Sequence, residues 1–195
     1  MTTWMNTPIV MNASRKANTR SRKKEVPGTL LFYEGEVLSQ SLTHVSSYPQ
    51  LDVELKNIDE LLLKNEKDPE GLTRRGDLRL DKGDLGGAIE DLRTALKHMT
   101  DKHPAALRDK ARAKLYESMT EYLQREFDKA EKYLKEYEEM CTVVRPGMTD
   151  DERKAAQAEE RRRKGNFFCL LGRGRENQKR LKEAFEAYMN FGALG

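Results

Sequence analysis

Between Asp68 and Ala95 the sequence DPEGLTRRGDLRLDKGDLGGAIEDLRTA places its smallest residues where two closely packed helices need them. Gly76 is followed by Ala88 twelve residues on, by Leu92 sixteen on and by Ala95 nineteen on. Asp68 is a good N-cap, and Pro69 suits a first helical residue because its missing N–H would be unpaired there anyway. Gly83 ends that helix, since glycine enters the left-handed conformation at little cost, and Asp84 caps the next. The segment therefore predicts an antiparallel pair of helices near 69–82 and 85–99. Gly76, Ala88 and Ala95 would lie at the close approach, with Leu72, Leu78, Ile89 and Leu92 around them.

Two weaker copies of this spacing follow. Leu107, Ala111, Leu115, Met119 and Tyr122 share one face of a helix over 105–123. Phe127, Ala130, Leu134 and Tyr137 continue in an antiparallel partner. Here Ser118 stands where the first pair has Gly76, and Tyr137 where it has Ala95. Thr142 to Met148, with Pro146-Gly147, breaks the pattern, and Thr149 to Glu152 forms a capping box that starts the next helix. That helix is charged until Phe167 and is expected to run to about Gly174. Gly172 precedes Ala184 by twelve residues and Tyr188 by sixteen, which makes a third pair. Gly172 is the expected helix–helix contact and Gly174 a tolerated break. Upstream, Leu51, Leu55, Ile58 and Leu62 fall on one helical face and predict a capping helix over 51–65.

Of the 195 residues, 37% are hydrophobic and 35% charged, which is polar for a compact globule and suits thin helical layers. The net charge of +3 is unevenly spread. Residues 1–27 hold Arg15, Lys16, Arg20, Arg22, Lys23 and Lys24 against Glu25, so the rest of the chain is net negative. This stretch lacks periodicity and is expected to be a basic disordered arm. From Gly28 to Pro49 the sequence changes kind: TLLFY, VLSQS and THVSSY are short β-prone runs, with Gly35 placed for a tight turn. They predict a hairpin, with room for a third strand. A lone hairpin is marginal in water and needs something to lean on.

Chemistry is poorly represented. His44, His98 and His103 do not pair with Cys or carboxylates at ligand spacing, and Cys141 and Cys169 are read as reduced packing residues. Gly172-Arg173-Gly174 lacks the strand and glycines of a phosphate loop. No catalytic, cofactor or metal site is expected, and the chain is read as a non-enzyme. Arg161-Arg162-Arg163-Lys164 shares its helix with Glu152, Glu159 and Glu160. It reads as a solvated face laced with i,i+4 ion pairs rather than a nucleic-acid patch. Phe167 and Phe168, beside Leu170 and Leu171, read as core. No apolar run is long enough to span a bilayer, so a reducing, cytoplasmic setting is expected, with peripheral attachment to a membrane as its variant.

The glycine–alanine spacing of 76, 88, 92 and 95 resembles the tetratricopeptide (TPR) repeat. The implied fold is mainly α: about three TPR-like helix pairs plus a capping helix, preceded by a short β-hairpin, with the solenoid over residues 50–195. In that family the groove is lined by first-helix positions three before, one after and four after the motif glycine. By resemblance, the protein-binding candidates are Thr73, Asp77 and Leu80; Leu115, Met119 and Tyr122; and Cys169, Arg173 and Glu176. The lysine and asparagine with which chaperone-binding members grip a peptide carboxylate are absent from these positions.

The order of parts carries a second resemblance. GTLLFYEGEVLSQS, YPQL, DPEGLTRRGDLRLDKGDL, FFCLLGRGRE and AFEAYMNFGAL together resemble bacterial proteins in which a quinoprotein-like β-propeller runs into TPR-like helices. Such proteins have been grouped with membrane coats. Residues 1–27 do not resemble a propeller, and by this resemblance residues 29–48 correspond to the last strands of a final blade. The implied function is a non-catalytic scaffold for protein partners. The alternatives are an adaptor that meets nucleic acid or an anionic membrane through the basic arm, and a homo-oligomer joined at the hairpin edge.

Overall fold

In the computed structural model, residues 29–33, 36–40, 42–43, 45–49 and 51–194 are described. The expected basic arm, Gly35 and His44 lie outside them. The chain divides into two units, one ending at Gln50 and one starting at Leu51. The first holds an antiparallel sheet of order β1-β2-β3, with β1 Thr29–Tyr33, β2 Glu36–Gln40 and β3 Val45–Pro49. Tyr33 pairs with Glu36 and Gln40 with Val45, so the expected hairpin and its third strand both form. All five β1 residues are exposed, apolar side chains included.

The second unit is helical: α1 Leu51–Leu62, α2 Pro69–Lys82, α3 Leu85–His98, α4 Ala105–Arg125, α5 Phe127–Ala130, α6 Leu134–Glu139, α7 Asp150–Asn177 and α8 Leu181–Gly192. The caps fall where the sequence puts them, whereas α1 stops at Leu62, short of the expected 65, and α4 runs on to Arg125. Asp68 accepts from the Gly71 N–H at 2.7 Å and Asp84 from the Gly87 N–H at 3.0 Å. Gly83 sits at φ +85°. Thr149 and Glu152 exchange side-chain-to-backbone hydrogen bonds as a capping box.

Helices α2 and α3 are antiparallel neighbours. A Cβ on Gly76 would lie 2.7 Å from Leu92 Cγ and 3.3 Å from the Ala88 carbonyl, so the glycine permits the approach. A second device holds the same pair. Arg75 donates through Nε and a terminal nitrogen to both oxygens of buried Asp91, at 2.8 and 2.7 Å, and Arg79 adds a third bond at 2.9 Å. Arg75 also reaches Asp59 of α1 at 2.9 Å, so one guanidinium links three helices. These carboxylates hold the Arg75 proton more tightly than usual, the bond to Asp91 first, although burial opposes them. Ile58 and Leu62 of α1 are buried against this pair, as a capping helix requires.

The second pair is less regular. The expected continuous partner of α4 breaks into α5, a 3₁₀ turn over Glu131–Tyr133 and α6. At that turn Tyr133 is buried and its hydroxyl donates to Glu90 of α3 at 3.0 Å. Tyr137 stacks on Tyr116 of α4 with ring centroids 5.0 Å apart. Its hydroxyl lies 2.9 Å from Thr120 Oγ1 and accepts from the Asn166 amide of α7 at 3.0 Å.

The third pair is α7 with α8. Gly172 faces the Tyr188 ring, where a Cβ would come within 2.5 Å. The Tyr188 hydroxyl donates to Glu176 at 2.9 Å. The reading of Gly174 as a helix break needs correction. Helix α7 runs through it to Asn177, and Gly174 is buried beneath Phe127, whose ring atoms lie 2.2–2.3 Å from the position of an added Cβ. It is a contact between the second and third pairs. One continuous core runs from Ile58 and Leu62 through Leu92, Leu115, Met119 and Tyr137 to Phe167 and Leu170.

Candidate protein-docking surface

Helix α7 spans 28 residues and α8 only 12, and the two run antiparallel from the turn at Lys179. Gly172 meets Tyr188 and Gly165 meets Phe191, its added Cβ lying 3.4 Å from the ring. The end of α8 therefore falls beside Gly165, and the N-terminal part of α7 extends past it. There an open groove of about 1010 Å³ is lined by Lys154, Ala158, Arg161, Gly165, Cys169 and Phe191, among others. Among the described residues its lining holds three basic side chains, Lys154, Arg161 and Arg162, and no carboxylate side chain.

The charges around it are sorted by helical spacing. Glu159 accepts hydrogen bonds from Arg162 Nε and Nη2, at 2.7 and 2.8 Å, and from Arg163 Nε at 2.7 Å. Those guanidiniums pull its carboxyl down to about 2, the bond from Arg162 being the largest cause. Glu160 accepts from Lys164 at 2.7 Å and from the Val143 and Val144 N–H groups at 3.2 and 3.4 Å, which ties the preceding loop to α7 and keeps its carboxyl below the usual range. Arg163 also lies over the Tyr116 ring at 4.5 Å and donates to the Met140 carbonyl. The Arg161–Lys164 run is thus laced with ion pairs, as its spacing predicts. Arg161 is the exception, exposed on the groove and without an ion pair among the described residues.

The nine residues carried over from the TPR groove do not share one surface. Thr73, Leu80, Leu115 and Met119 are buried in the core; Thr73 donates its hydroxyl to the Pro69 carbonyl at 2.7 Å. Packing against the neighbouring helices leaves these four no face for a partner. Asp77 is half-buried and ion-paired with Lys114 at 2.8 Å and Lys110 at 3.6 Å, bridging α2 to α4. Tyr122 is half-buried between Leu80 and Leu85 on one side and the main core on the other. Cys169 lines the groove described above, whereas Arg173 and Glu176 are exposed further along α7.

A second recess of about 400 Å³ lies between α4 and α7, lined by Tyr116, Glu117, Thr120, Glu121, Gln124 and Asn166 among others. Its α4 residues are shifted by one or two positions from Leu115, Met119 and Tyr122. Of the three positions that the motif register selects on α4, Leu115 and Met119 are buried and Tyr122 is half-buried. The signal that could have found the open face is the polar run Glu117, Thr120, Glu121, Gln124, which recurs at helical spacing opposite the apolar stripe.

The two cysteines differ in kind. Cys141 is fully buried, its thiol donating to the Tyr137 carbonyl, and burial pushes it up to about 11. Cys169 is partly accessible in the groove. Among the described residues no helix is long and apolar enough to cross a membrane. No protein-family model matches the chain, and neither a curated protein nor a solved structure matches it.

Proposed function

We propose that this chain is a non-catalytic scaffold that binds protein partners, built from TPR-like helix pairs of the kind found in the solenoid part of membrane-coat-like propeller proteins. The observation that carries this reading is apolar surface left open on the last helix. Leu181 and Phe185 are each 64% exposed and Met189 60%, and they recur every four residues along one side of α8. A helix normally turns such a stripe toward other protein, because burying each large apolar side chain is worth roughly 1.5–3 kcal/mol. The end of the same helix, at Phe191, lines the groove on α7. The test places a photo-crosslinking residue at Phe185 in the full chain inside its native cells. A discrete protein partner should be trapped there and not from a control at Lys56, on α1. Crosslinks to no protein, or equally from both positions, would overturn the reading.

A second reading is favoured by β1. It forms one edge of the described sheet, and all its residues, Leu30, Leu31, Phe32 and Tyr33 among them, are exposed. An uncharged, apolar strand edge is a template for another strand. Pairing of β1 with β1 of a second copy would give a homodimer. Light scattering at tens of micromolar should then report twice the chain mass, falling to a monomer on Leu31→Lys; a monomer from the start would refute it.

A further inference from the structure

Helix α7 offers a place for one more helix. Helix α8 covers its C-terminal half and stops beside Gly165, so the groove from Lys154 to Cys169 continues the track that α8 leaves. The sixteen residues from Lys154 to Cys169 measure about 24 Å of helix, or roughly four turns. The floor is apolar, with Ala158, Gly165, Cys169 and Phe191, and the rim is basic.

The charges are out of proportion to their surroundings. Residues 51–195 carry 30 Lys and Arg and 30 Asp and Glu, hence no net charge. Yet among the described residues the groove gathers three cationic side chains and no anionic one. Arg162 is satisfied by Glu159, which leaves Lys154 and Arg161 without an ion pair among the described residues. The two nearest carboxylates in sequence to Arg161 are engaged elsewhere, Glu159 by Arg162 and Arg163 and Glu160 by Lys164 and the loop N–H groups. Complementary charge is what selects a partner and its orientation at such a surface.

We propose that this groove docks an acidic amphipathic helix of a partner protein, its apolar face on Phe191, Cys169 and Ala158 and its carboxylates on Lys154 and Arg161. A concave site of this volume admits the side chains of a helix, the helix-in-groove mode of peptide recognition. An anionic bilayer is convex or flat at this scale and would meet only the rim. The inference rests on the scaffold reading and adds to it the surface and the chemistry of the ligand.

The test uses the full chain and its own thiol. Cys141 is buried and Cys169 is not, so alkylation of the folded protein reports on the groove. A library of 16-residue peptides displayed on phage is selected against the wild-type chain, and the recovered peptides are tested on the Lys154→Glu/Arg161→Glu variant. Both substitutions are at exposed positions, and retained circular dichroism and melting temperature establish that the variant is folded. The recovered sequences should carry Asp or Glu with apolar residues at i, i+3, i+4 and i+7. They should slow Cys169 alkylation, and should lose about tenfold in affinity on the variant. Recovery of no peptide, of peptides without acidic residues, or of peptides indifferent to the two reversals would overturn the proposal. So would protection of Cys169 by phosphatidylserine vesicles in place of peptide. Any of these, with the Phe185 crosslink still forming, would sink the groove assignment and leave the scaffold reading standing. Loss of the Phe185 crosslink with peptide binding intact would overturn the α8 stripe as a partner surface and leave the groove as the docking site.

Discussion

The first and third helix pairs use the same device to opposite ends. In each, a glycine on the first helix lets the second come close: Gly76 beneath Leu92, Gly172 beneath Tyr188. In the first pair everything around that contact is closed. Helix α3 lies between α2 and α4, its Leu92 and Ala95 are fully buried, and Asp91 is clasped by two arginines. In the third pair α8 packs chiefly on α7 and turns Leu181, Phe185 and Met189 outward. The difference teaches that helix pairing and surface closure are separate properties. Small residues secure the first, and only a further neighbour provides the second.

The largest expected effect breaks the closed side. Asp91→Ala removes the anion shared by Arg75 and Arg79 while both remain partly desolvated, and should cost about 3–5 kcal/mol in urea unfolding. A loss below about 1 kcal/mol would mean that the clasp only decorates the pair. Next comes the joint between the second and third pairs. Gly174→Ala drives a methyl into the Phe127 ring and should destabilise by about 1–3 kcal/mol, against alanine's better helix propensity. Gly86→Ala in the first turn of α3, with no atom within 4 Å of the added Cβ, is the control and should be neutral or stabilising.

A smaller effect concerns acid. The Glu159 carboxyl is lowered from 4.5 to about 2 by its arginines, so its contribution is present above pH 4.5 and is lost as pH falls through about 2. Thermal midpoints should decline across that window. Glu159→Gln should flatten the decline and lower the midpoint at neutral pH, by a modest amount because the pair is partly solvated. An unchanged acid profile would remove Glu159 from the account of α7. The smallest effect is the most informative about the open side. Phe185→Ser should shift stability by no more than about 0.5 kcal/mol, since its ring is already in water, whereas Phe167→Ala should cost about 3–5 kcal/mol. A large loss at Phe185 would show that α8 is closed after all.

Local chemistry made the fold legible. Asp68, Gly83, Asp84 and the Thr149–Glu152 box act through neighbours a few residues away, so their roles can be read from adjacent letters. Gly76 and Gly172 were legible because a partner at fixed spacing identifies them. Gly174 was not, because what demands its smallness is Phe127, 47 residues earlier and on another helix pair. The clasp on Asp91 was hidden for a related reason. Arg75 and Arg79 look like any charged helix surface until α3 carries a carboxylate beneath them. The groove was missed almost entirely. Most of its residues lie on the part of α7 beyond the repeat spacing, and of the nine positions taken from the motif only Cys169 lines it. The 3₁₀ turn at Glu131–Tyr133 has no glycine or proline to announce it.

The Tyr137 hydroxyl has a consequence for how the helical unit moves. Thr120 gives its own proton to the Tyr116 carbonyl, so Tyr137 donates to Thr120 and accepts from Asn166, and one oxygen joins α4, α6 and α7. Swinging α7 away from α4 would pull that rivet out and leave the Asn166 amide and the Tyr137 phenol to find new partners. Parting α7 from α4 has to break at least one of these bonds, so a single hydroxyl ties the second pair to the third.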